Sequence, residues 1–282
     1  MSLQSNVHHI HRVGPLVYVT FPSFEETRLV RHLFTTRRGG LSTGERASLN
    51  LGFRRGDPPG VVYENFRRVC FVSGIYPGDI VTADQVHADR ILEVGPGERG
   101  QGIMRPKQIE GVDALITNSR EVALMTYHAD CPSIFLLDPI RKAIGLAHAG
   151  WRGTVLEIAA KTAQKMNERY GSRPEDLLAG IGPSIGPCCF EVGEDVAGIF
   201  EAMFPEYAND IVHPKTEGQT GDDGKWTVDL WEANRRILLD AGLREENITV
   251  TDLCTKCREE YFYSHRRQGN ARGTMAAFIE LI

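Results

Sequence analysis

The sequence predicts an α/β fold in which a mixed β-sheet core is flanked by helices. Short runs rich in apolar and β-branched residues recur along the chain, two segments show helical periodicity, and the two kinds of segment interleave without strict β-α-β alternation. The 282 residues, of which 41% are hydrophobic, allow a sizeable core, and no obvious linker divides them. We therefore expect a single domain over residues 1–282, with an irregular N-terminal segment at residues 1–15.

Six short apolar runs predict strands of this core, because they combine apolar side chains with β-branched ones. Two stretches rich in glycine or polar residues, 95–106 and 213–225, predict surface loops. Loops of this kind often form the rim of an active site, although a plain connection is more common. In chain order the predicted strands cover residues 16–19, 91–94, 122–126, 133–137, 143–147 and 274–279.

Two segments have the periodicity of an amphipathic helix. They cover residues 154–170 and 230–239, and each is followed by a glycine, Gly171 or Gly242, which is typical of a helix C-terminus. One face of the first helix carries Val155, Ile158, Ala159, Thr162 and Met166.

The charge balance, the absence of long apolar runs and the number of cysteines restrict the functions that the sequence predicts. Lys plus Arg number 32 against 37 Asp plus Glu, a net charge of −5, which argues against a dedicated DNA or RNA binder. The chain contains no run of about 18 apolar residues and no apolar secretory segment near its first residue, so we expect a cytoplasmic protein without a membrane partner. Six cysteines are too few for a disulfide framework at this length. A cysteine with a chemical function would therefore be a metal ligand or a nucleophile.

Residues with metal-binding or nucleophilic chemistry lie at predicted strand ends. Cys131 falls between two predicted strands, His148 ends a third, and His87 precedes both. Strand ends are where α/β folds bind ligands, and one thiolate with two imidazoles is a donor set that zinc prefers. Three protein ligands would leave a fourth position for water or substrate, as in catalytic zinc sites.

The same residues allow other functions. Cys131 could be the nucleophile of a metal-free cysteine hydrolase or deamidase, with His148 or His87 as the base. A fourth protein ligand such as His128 would instead close the site and make the chain a non-catalytic metal-binding module. Copper also binds two histidines and a cysteine when a weak axial ligand is present.

A series of motifs carries a more specific signal. In chain order it comprises Thr35-Thr36-Arg37-Arg38-Gly39-Gly40-Leu41-Ser42, Asn50-Leu51-Gly52, Gln85-Val86-His87, Asp113-Ala114-Leu115-Ile116-Thr117, Ala129-Asp130-Cys131-Pro132, His148-Ala149-Gly150-Trp151-Arg152-Gly153, Gly182-Pro183-Ser184-Ile185, Cys189-Phe190-Glu191-Val192-Gly193, Asp229-Leu230, Cys254-Thr255 and Tyr263-Ser264-His265-Arg266-Arg267. The series resembles the YfiH/YlmD family, also called laccase-domain or polyphenol oxidase proteins, and most closely its YlmD branch. The resemblance covers nearly the whole chain after about residue 30.

The resemblance implies a YfiH-like fold and a zinc-dependent purine nucleoside phosphorylase that acts on adenosine, inosine or guanosine. We expect the protein to be a monomer or a small homo-oligomer. It also implies adenosine deaminase and methylthioadenosine phosphorylase activities. The family metal site falls on His87, Cys131 and His148, the trio already selected from the residues. The oxidase name implies copper, but only nine histidines are present, without the paired patterns of a multicopper site. Zinc is therefore the expected metal, and copper stays open as an alternative.

Phosphorolysis requires a site for inorganic phosphate, and three arginines are candidates. Arg37, in an Arg-Arg-Gly-Gly turn, is the first choice because of its family match, and Arg152 stands in a turn that opens a helix. Arg266 is the third candidate. The alternative for each is an ordinary ion pair at the surface.

Three further residues are candidates for substrate contact or proton transfer. Gln85 lies two positions from His87, so on a strand it would share that face and could contact substrate or order a water. Asp130 is the carboxylate nearest to Cys131 and could transfer protons during deamination, or instead orient its neighbours. Asn50 is either a turn residue or a substrate contact.

The remaining cysteines give a weaker signal. Cys254 and Cys257 form one C-x-x-C pair without a second such pair, and the adjacent Cys188 and Cys189 are interpreted as packed thiols.

Overall fold

A computed structural model describes residues 7–214 and 225–282 of the chain. Strands and helices interleave through both ranges, and the predicted α/β class is confirmed. The strands of the described residues are β1 (His9–Val13), β2 (Leu16–Thr20), β3 (Val30–Thr35), β4 (Ile80–Thr82), β5 (Ile91–Glu93), β6 (Ala114–Thr117), β7 (Ala123–His128), β8 (Ser133–Asp138), β9 (Ala143–His148), β10 (Leu178–Ile181), β11 (Glu191–Val192), β12 (Val212–Pro214), β13 (Trp226–Val228), β14 (Ile248–Val250) and β15 (Met275–Leu281).

Glycine, proline or a side-chain cap marks the start of several helices, including α2, α3 and α7. They are α1 (Pro22–Thr27), α2 (Pro59–Ser73), α3 (Trp151–Val155), α4 (Ile158–Tyr170), α5 (Glu194–Met203), α6 (Ala208–Ile211), α7 (Leu230–Asp240) and α8 (His265–Gln268). Short 3-10 helices lie at Gly44–Arg46, Pro77–Asp79, Pro96–Glu98, Pro174–Asp176, Glu245–Asn247 and Gly269–Ala271. None of the helices in the two described ranges has both the length and the apolar character needed to cross a membrane.

Two six-stranded sheets, each of them mixed, form the core. The first has the order β1-β2-β3-β15-β7-β4 and is antiparallel except for the β4–β7 pair. The second has the order β14-β10-β8-β9-β6-β5, with parallel pairs at both edges and antiparallel pairs between them. The three strands β11-β13-β12 form a small antiparallel sheet.

The two large sheets face each other, and helices cover their outer faces. Alternate residues of β8 show this arrangement: Phe135 and Leu137 pack between the sheets, whereas Ile134 and Leu136 pack with α4 and α7. On the far side of the first sheet, Phe278 of β15 packs with α2. Because both faces of these strands are buried, they appear in the sequence as continuous apolar runs. All six predicted strands are confirmed, with shifts of at most three residues at their ends.

The first predicted helix is divided. Residues 154–170 form the end of α3 and all of α4, and the break falls at Glu157, whose φ of 56° is left-handed. Neither glycine nor proline marks this break, so composition gave no signal for it. Gly171 does end α4 in the left-handed conformation, with its N–H bonded to the carbonyl of Asn167.

The predicted irregular N-terminus is wrong at residues 9–13, which form β1 paired with β2. That strand has few apolar residues, so its pattern resembled a loop. The predicted loop 95–106 contains a 3-10 turn at Pro96–Glu98 and continues to the edge of the main cavity. Of the second predicted loop, residues 215–224 lie outside the described residues.

Candidate active site

The three predicted metal ligands meet at one point. His148 is the last residue of β9 and lies opposite Ser133, the first residue of β8, so Cys131 just before β8 is brought beside it. His87 approaches from the loop after β4. One ligand atom from each residue lies within 4.8 Å of the others, and Cys131 Sγ is 3.8 Å from His87 Nε2.

A buried carboxylate, Asp113, orients both histidines. It stands just before β6 and accepts the N–H groups of Val86, His87 and Ala88 at 3.0, 3.0 and 2.9 Å. His148 Nδ1 donates to the same carboxylate at 2.9 Å, which leaves Nε2 as the ligand atom. The burial of Asp113 would raise the pKa of its carboxyl, but the hydrogen bonds from His148 and the backbone outweigh it and lower that pKa. Sequence reasoning quoted Asp113 only inside a motif and assigned it no role in the site.

The turn after β9 is fitted closely around the trio. A Cβ atom on Gly150 would lie 3.0 Å from Cys131 Sγ and 3.0 Å from His87 Cδ2, closer than side chains normally approach. Glycine at this position therefore allows the thiol and the imidazole to approach each other. The donor set and its close packing fit a bound metal ion.

Cys131 and His148 hold each other in charged forms. Burial alone would raise the pKa of the Cys131 thiol, but the charge of His148 and hydrogen bonds from His148 and His87 lower it to about 6. Burial would likewise lower the pKa of His148, whereas the Cys131 thiolate and Asp113 raise it to about 9. A thiolate is the form that binds a metal, and His148 would release its proton when the metal binds.

In metal-depleted protein, we expect the rate of Cys131 alkylation by iodoacetamide to rise as the pH increases through about 6. The folded-state pKa is below the ordinary thiol value, so the reactive thiolate is present above that pH and is lost below it. Residue-specific mass spectrometry of quenched digests measures the rate. Cys70 is the internal control, because burial raises the pKa of its thiol to about 12. A Cys131 profile that rises only near the ordinary thiol pKa would contradict this assignment.

His128 does not complete the metal site. Its Nδ1 lies 3.0 Å from the carbonyl oxygen of Cys131, and its Nε2 lies 2.7 Å from Thr126 Oγ1, so both ring nitrogens are engaged. Burial, followed by the charge of His148, lowers the pKa of His128 well below its ordinary value. Among the described residues, the trio therefore stands as three ligands with no fourth side chain grouped with them.

The trio opens onto a cavity of about 450 Å³, a size typical of small-molecule sites. Its lining includes basic and aromatic side chains, together with part of the loop predicted as a possible rim. The residues that line it are Gly52, Phe53, Arg54, Arg55, Ala83, Asp84, Gln85, His87, Gly102, Arg105, Pro106, Lys107, Tyr127, His128, Ala129, Cys131, His148, Arg272 and Thr274.

Arg272 is the buried cation of this cavity. Its Nη1 donates to the carbonyl of Gly273 at 3.0 Å and to Thr274 Oγ1 at 3.2 Å, whereas its buried Nε has no hydrogen-bond partner. Burial and the nearby charge of Arg55 lower the pKa of Arg272 to about 10, so it stays charged at neutral pH. Arg272 forms no ion pair with a carboxylate within the described part of the chain. The charges of Asp130 and Cys131 act on it without an ion pair, and a buried guanidinium without an ion-pair partner favours an anionic ligand.

The three arginines predicted to bind phosphate lie outside the cavity lining. Arg37 donates to the backbone carbonyls of Ala47, Glu259 and Glu45, and these contacts use its guanidinium to join loops. Arg152 is exposed, with its guanidinium 4.4 Å from the centre of the Trp151 ring. The side chain of the third candidate, Arg266, donates to the carbonyl of Glu191 at 2.7 Å. The side chains of these three arginines therefore contact other parts of the protein and do not line the cavity.

The other candidates also have contacts within the protein. Gln85 lines the cavity, but its amide donates to the carbonyl of Tyr127 at 2.9 Å and accepts the N–H of the same residue at 2.7 Å. Asn50 is buried and accepts the N–H groups of Gly52 and Thr274, each at 2.9 Å, so the structure favours its role as a turn residue.

Asp130 is likewise enclosed by donors. Its carboxylate accepts Thr255 Oγ1 at 2.6 Å, Ser264 Oγ at 3.1 Å and the N–H of Arg266 at 2.7 Å. It does not line the cavity, and its φ of 89° is left-handed. These contacts favour the orienting role for Asp130, because its oxygens hold the segment that presents Cys131.

The chain is similar to a family of known proteins over most of its length. A family model described as multi-copper polyphenol oxidoreductase laccase matches residues 31–282. The chain is 36% identical over 250 residues to purine nucleoside phosphorylase YlmD of Bacillus subtilis, covering 87% of this chain and 86% of that protein. It is 38% identical over 246 residues to the YlmD of Geobacillus stearothermophilus, covering 87% and 88%. A crystal structure of Bacillus licheniformis YfiH superposes with a TM-score of 0.89 at 34% identity, covering 97% of this chain and 99% of that one.

Proposed function

The chain belongs to the YfiH/YlmD family of laccase-domain proteins, and on that basis we propose that it is a zinc-dependent purine nucleoside phosphorylase. Its substrates would be adenosine, inosine or guanosine together with inorganic phosphate. The observation that carries the proposal is that one cavity joins the His87–Cys131–His148 trio to the unpaired cation of Arg272. Phosphorolysis needs an anion site for phosphate and stabilisation of charge as the glycosidic bond breaks, both within reach of one bound nucleoside.

Zinc fits the donors better than copper does. His87, Cys131 and His148 would hold the ion, which when bound acts as a Lewis acid and lowers the pKa of water. A mononuclear copper site with these donors takes a weak axial ligand such as methionine or glutamine. No methionine is among the cavity-lining residues of the described chain, and both polar atoms of the Gln85 amide bind the backbone.

The residues of the chain would place phosphate for attack on the sugar. Arg272, with Arg55 beside it, would bind the phosphate oxygens and hold one of them toward C1′ of the nucleoside. The new bond forms between that oxygen and C1′, while the bond from C1′ to the base nitrogen breaks and its electron pair leaves with the purine. The purine takes up the proton that phosphate loses on forming the ester, and the products are the sugar 1-phosphate and the free base. Arg55 and Lys107 also line the cavity and carry positive charge, although Lys107 is paired with Asp84.

We further propose that adenosine deamination and methylthioadenosine phosphorolysis occur in the same cavity. Deamination replaces the amino group of the purine with oxygen from water and releases ammonia, so it requires no phosphate. A phosphorolytic site with one metal centre can accept both adenosine and methylthioadenosine because the reacting bond from sugar to base is the same.

Release of purine base tests the proposal. Purified protein is given adenosine, inosine, guanosine or methylthioadenosine, with and without phosphate, and the products are separated by chromatography. We expect base release that requires phosphate, disappears after chelation and returns with zinc. Inosine formed from adenosine without phosphate would report deamination. Turnover that survives chelation but is lost on Cys131 alkylation would favour the metal-free cysteine hydrolase, and absence of any turnover would favour a metal-binding module.

A further inference from the structure

Four cysteines meet at a second point of the fold. The Sγ atoms of Cys188, Cys189, Cys254 and Cys257 all lie within 4.8 Å of one another. The C-x-x-C pair therefore does have a complement, which is the adjacent pair Cys188-Cys189 rather than a second C-x-x-C. The interpretation of Cys188 and Cys189 as packed thiols did not include this contact with Cys254 and Cys257.

The distances between the sulfur atoms match one tetrahedral ion. Zinc binds thiolate at about 2.3 Å, so the sulfur atoms at the corners of its tetrahedron are about 3.8 Å apart. Cys257 Sγ lies 3.6 Å from Cys188 Sγ and 3.4 Å from Cys189 Sγ. The N–H of Gly186 donates to Cys254 Sγ at 3.3 Å, a contact that stabilises negative charge on a bound thiolate. A disulfide would join only two of the four sulfur atoms.

The topology explains why these cysteines converge. Strands β10 and β14 are parallel neighbours, so the loops that follow them leave the same edge of the second sheet. A bridge between Ser184 and Cys254 continues this pairing, and the N–H of Thr255 donates to the carbonyl of Ser184 at 2.9 Å. The turn that contains Cys188 and Cys189 thereby faces the turn that contains Cys254 and Cys257.

We propose that Cys188, Cys189, Cys254 and Cys257 bind a second Zn²⁺ ion, which joins the two loops as a structural site. Four protein ligands leave no position for substrate, in contrast to the three at the cavity. Cys189 and Cys254 are buried and Cys188 and Cys257 are exposed, so the ion could enter from the surface. None of the four lines the main cavity.

This ion would stabilise the segment that presents Cys131. Thr255, next to Cys254, donates its hydroxyl to Asp130 at 2.6 Å, and the N–H of Ile185 donates to the carbonyl of Asp130 at 2.8 Å. Both loops of the four-cysteine site therefore contact the residue before Cys131. Loss of the second ion would loosen this support without removing a ligand of the first site.

Metal content tests the proposal. Full-length protein is prepared with zinc under reducing conditions, and zinc per chain is measured by mass spectrometry together with the melting temperature. We expect two zinc ions per chain in the unchanged protein and one in the double variant Cys188→Ser, Cys257→Ser, with a lower melting temperature. His87→Ala should keep the ion of the four-cysteine site, and Cys70→Ala, which alters a distant buried thiol, should keep both. A zinc content that is the same in the double variant as in the unchanged protein would overturn the proposal, whether or not the trio at the cavity holds zinc.

Cobalt provides a readout that does not depend on folding of the double variant. In the His87→Ala protein loaded with Co²⁺, we expect intense charge-transfer absorption from several thiolates and the d–d bands of a tetrahedral site. Spectra of an octahedral ion, or of a site with a single thiolate, would overturn the proposal. Iron in place of zinc in freshly purified protein, or a disulfide between these cysteines without bound metal, would also overturn it.

Discussion

Cys131→Ala is expected to abolish both zinc binding at the cavity and phosphorolysis, with a fall in turnover of at least about 10³-fold. The variant removes the only sulfur ligand of the trio and leaves two imidazoles, of which His87 is exposed. Zinc content, base release and circular dichroism would be measured on the same preparation. The fold should persist, because a three-ligand catalytic site contributes less to folding than a closed structural site.

Asp113→Asn is the matched variant, because it keeps all three ligands. The amide group keeps the shape of the side chain but loses the negative charge that accepts His148 Nδ1 and three backbone N–H groups. We expect a loss of about 10–100-fold in metal affinity or activity, typical for a residue that orients metal-binding histidines. Full zinc content and full activity in Cys131→Ala would contradict the site assignment. Activity retained after zinc loss in both variants would instead show that the reaction needs no metal.

The proximity of Cys131 and His148 could be predicted from the sequence because both residues stand at strand ends that are evident as apolar runs. Cys131 and His148 flank β8 and β9, whose faces are both buried, so the positions of those strands were clear. Antiparallel pairing of the two strands then places Ser133 opposite His148. Local pattern and chemistry pointed to the same residues here, and the resemblance to a known family selected the same trio.

Asp113 and Arg272 could not be assigned in this way, because their roles depend on contacts between distant segments. Asp113 accepts hydrogen bonds from His148, which is 35 residues away in the sequence, and from the N–H of His87, which is 26 residues away. Arg272 approaches the cavity only because β15 pairs with β7, where Met275 lies opposite His128. No local motif reports such a contact, although a carboxylate directly before a buried strand such as β6 is a signal that could be used.

The local pattern and the tertiary contacts of Arg37 point to different roles. An Arg-Arg-Gly-Gly turn is chemically suited to an anion, but the fold places backbone carbonyls where the anion would be. The sequence likewise offered no reason to group the Cys254–Cys257 pair with Cys188 and Cys189, because those two cysteines lie in the loop after a neighbouring strand. In each case the sequence identified the chemistry of a residue, and tertiary pairing decided which partner it has.

Arg272→Gln is expected to raise the KM for phosphate and to lower kcat/KM for phosphate by about 10²–10³-fold, which is about 2.7–4 kcal/mol of lost transition-state stabilisation. Glutamine ends at the level of Arg272 Nε, so it lacks both the positive charge and the Nη1 group that donates to Gly273 and Thr274. Steady-state kinetics with phosphate varied at saturating inosine, and then with inosine varied, separate the two substrates. The KM for inosine should change much less, because the loss is specific to the anion.

Arg37→Gln is the matched control, because it removes the same charge from the arginine that the sequence predicted first for phosphate. The Arg37 guanidinium donates to three backbone carbonyls and lies over the face of the Tyr263 ring. The variant should therefore lose stability, because these contacts are lost, and should keep its KM for phosphate within about twofold. Arg272→Lys adds a second comparison, since it keeps a charge without the planar fork and should recover only part of the phosphate affinity. If the effects of Arg37→Gln and Arg272→Gln were reversed, the phosphate would bind at the Arg-Arg-Gly-Gly turn, and the 450 Å³ cavity would hold the nucleoside alone.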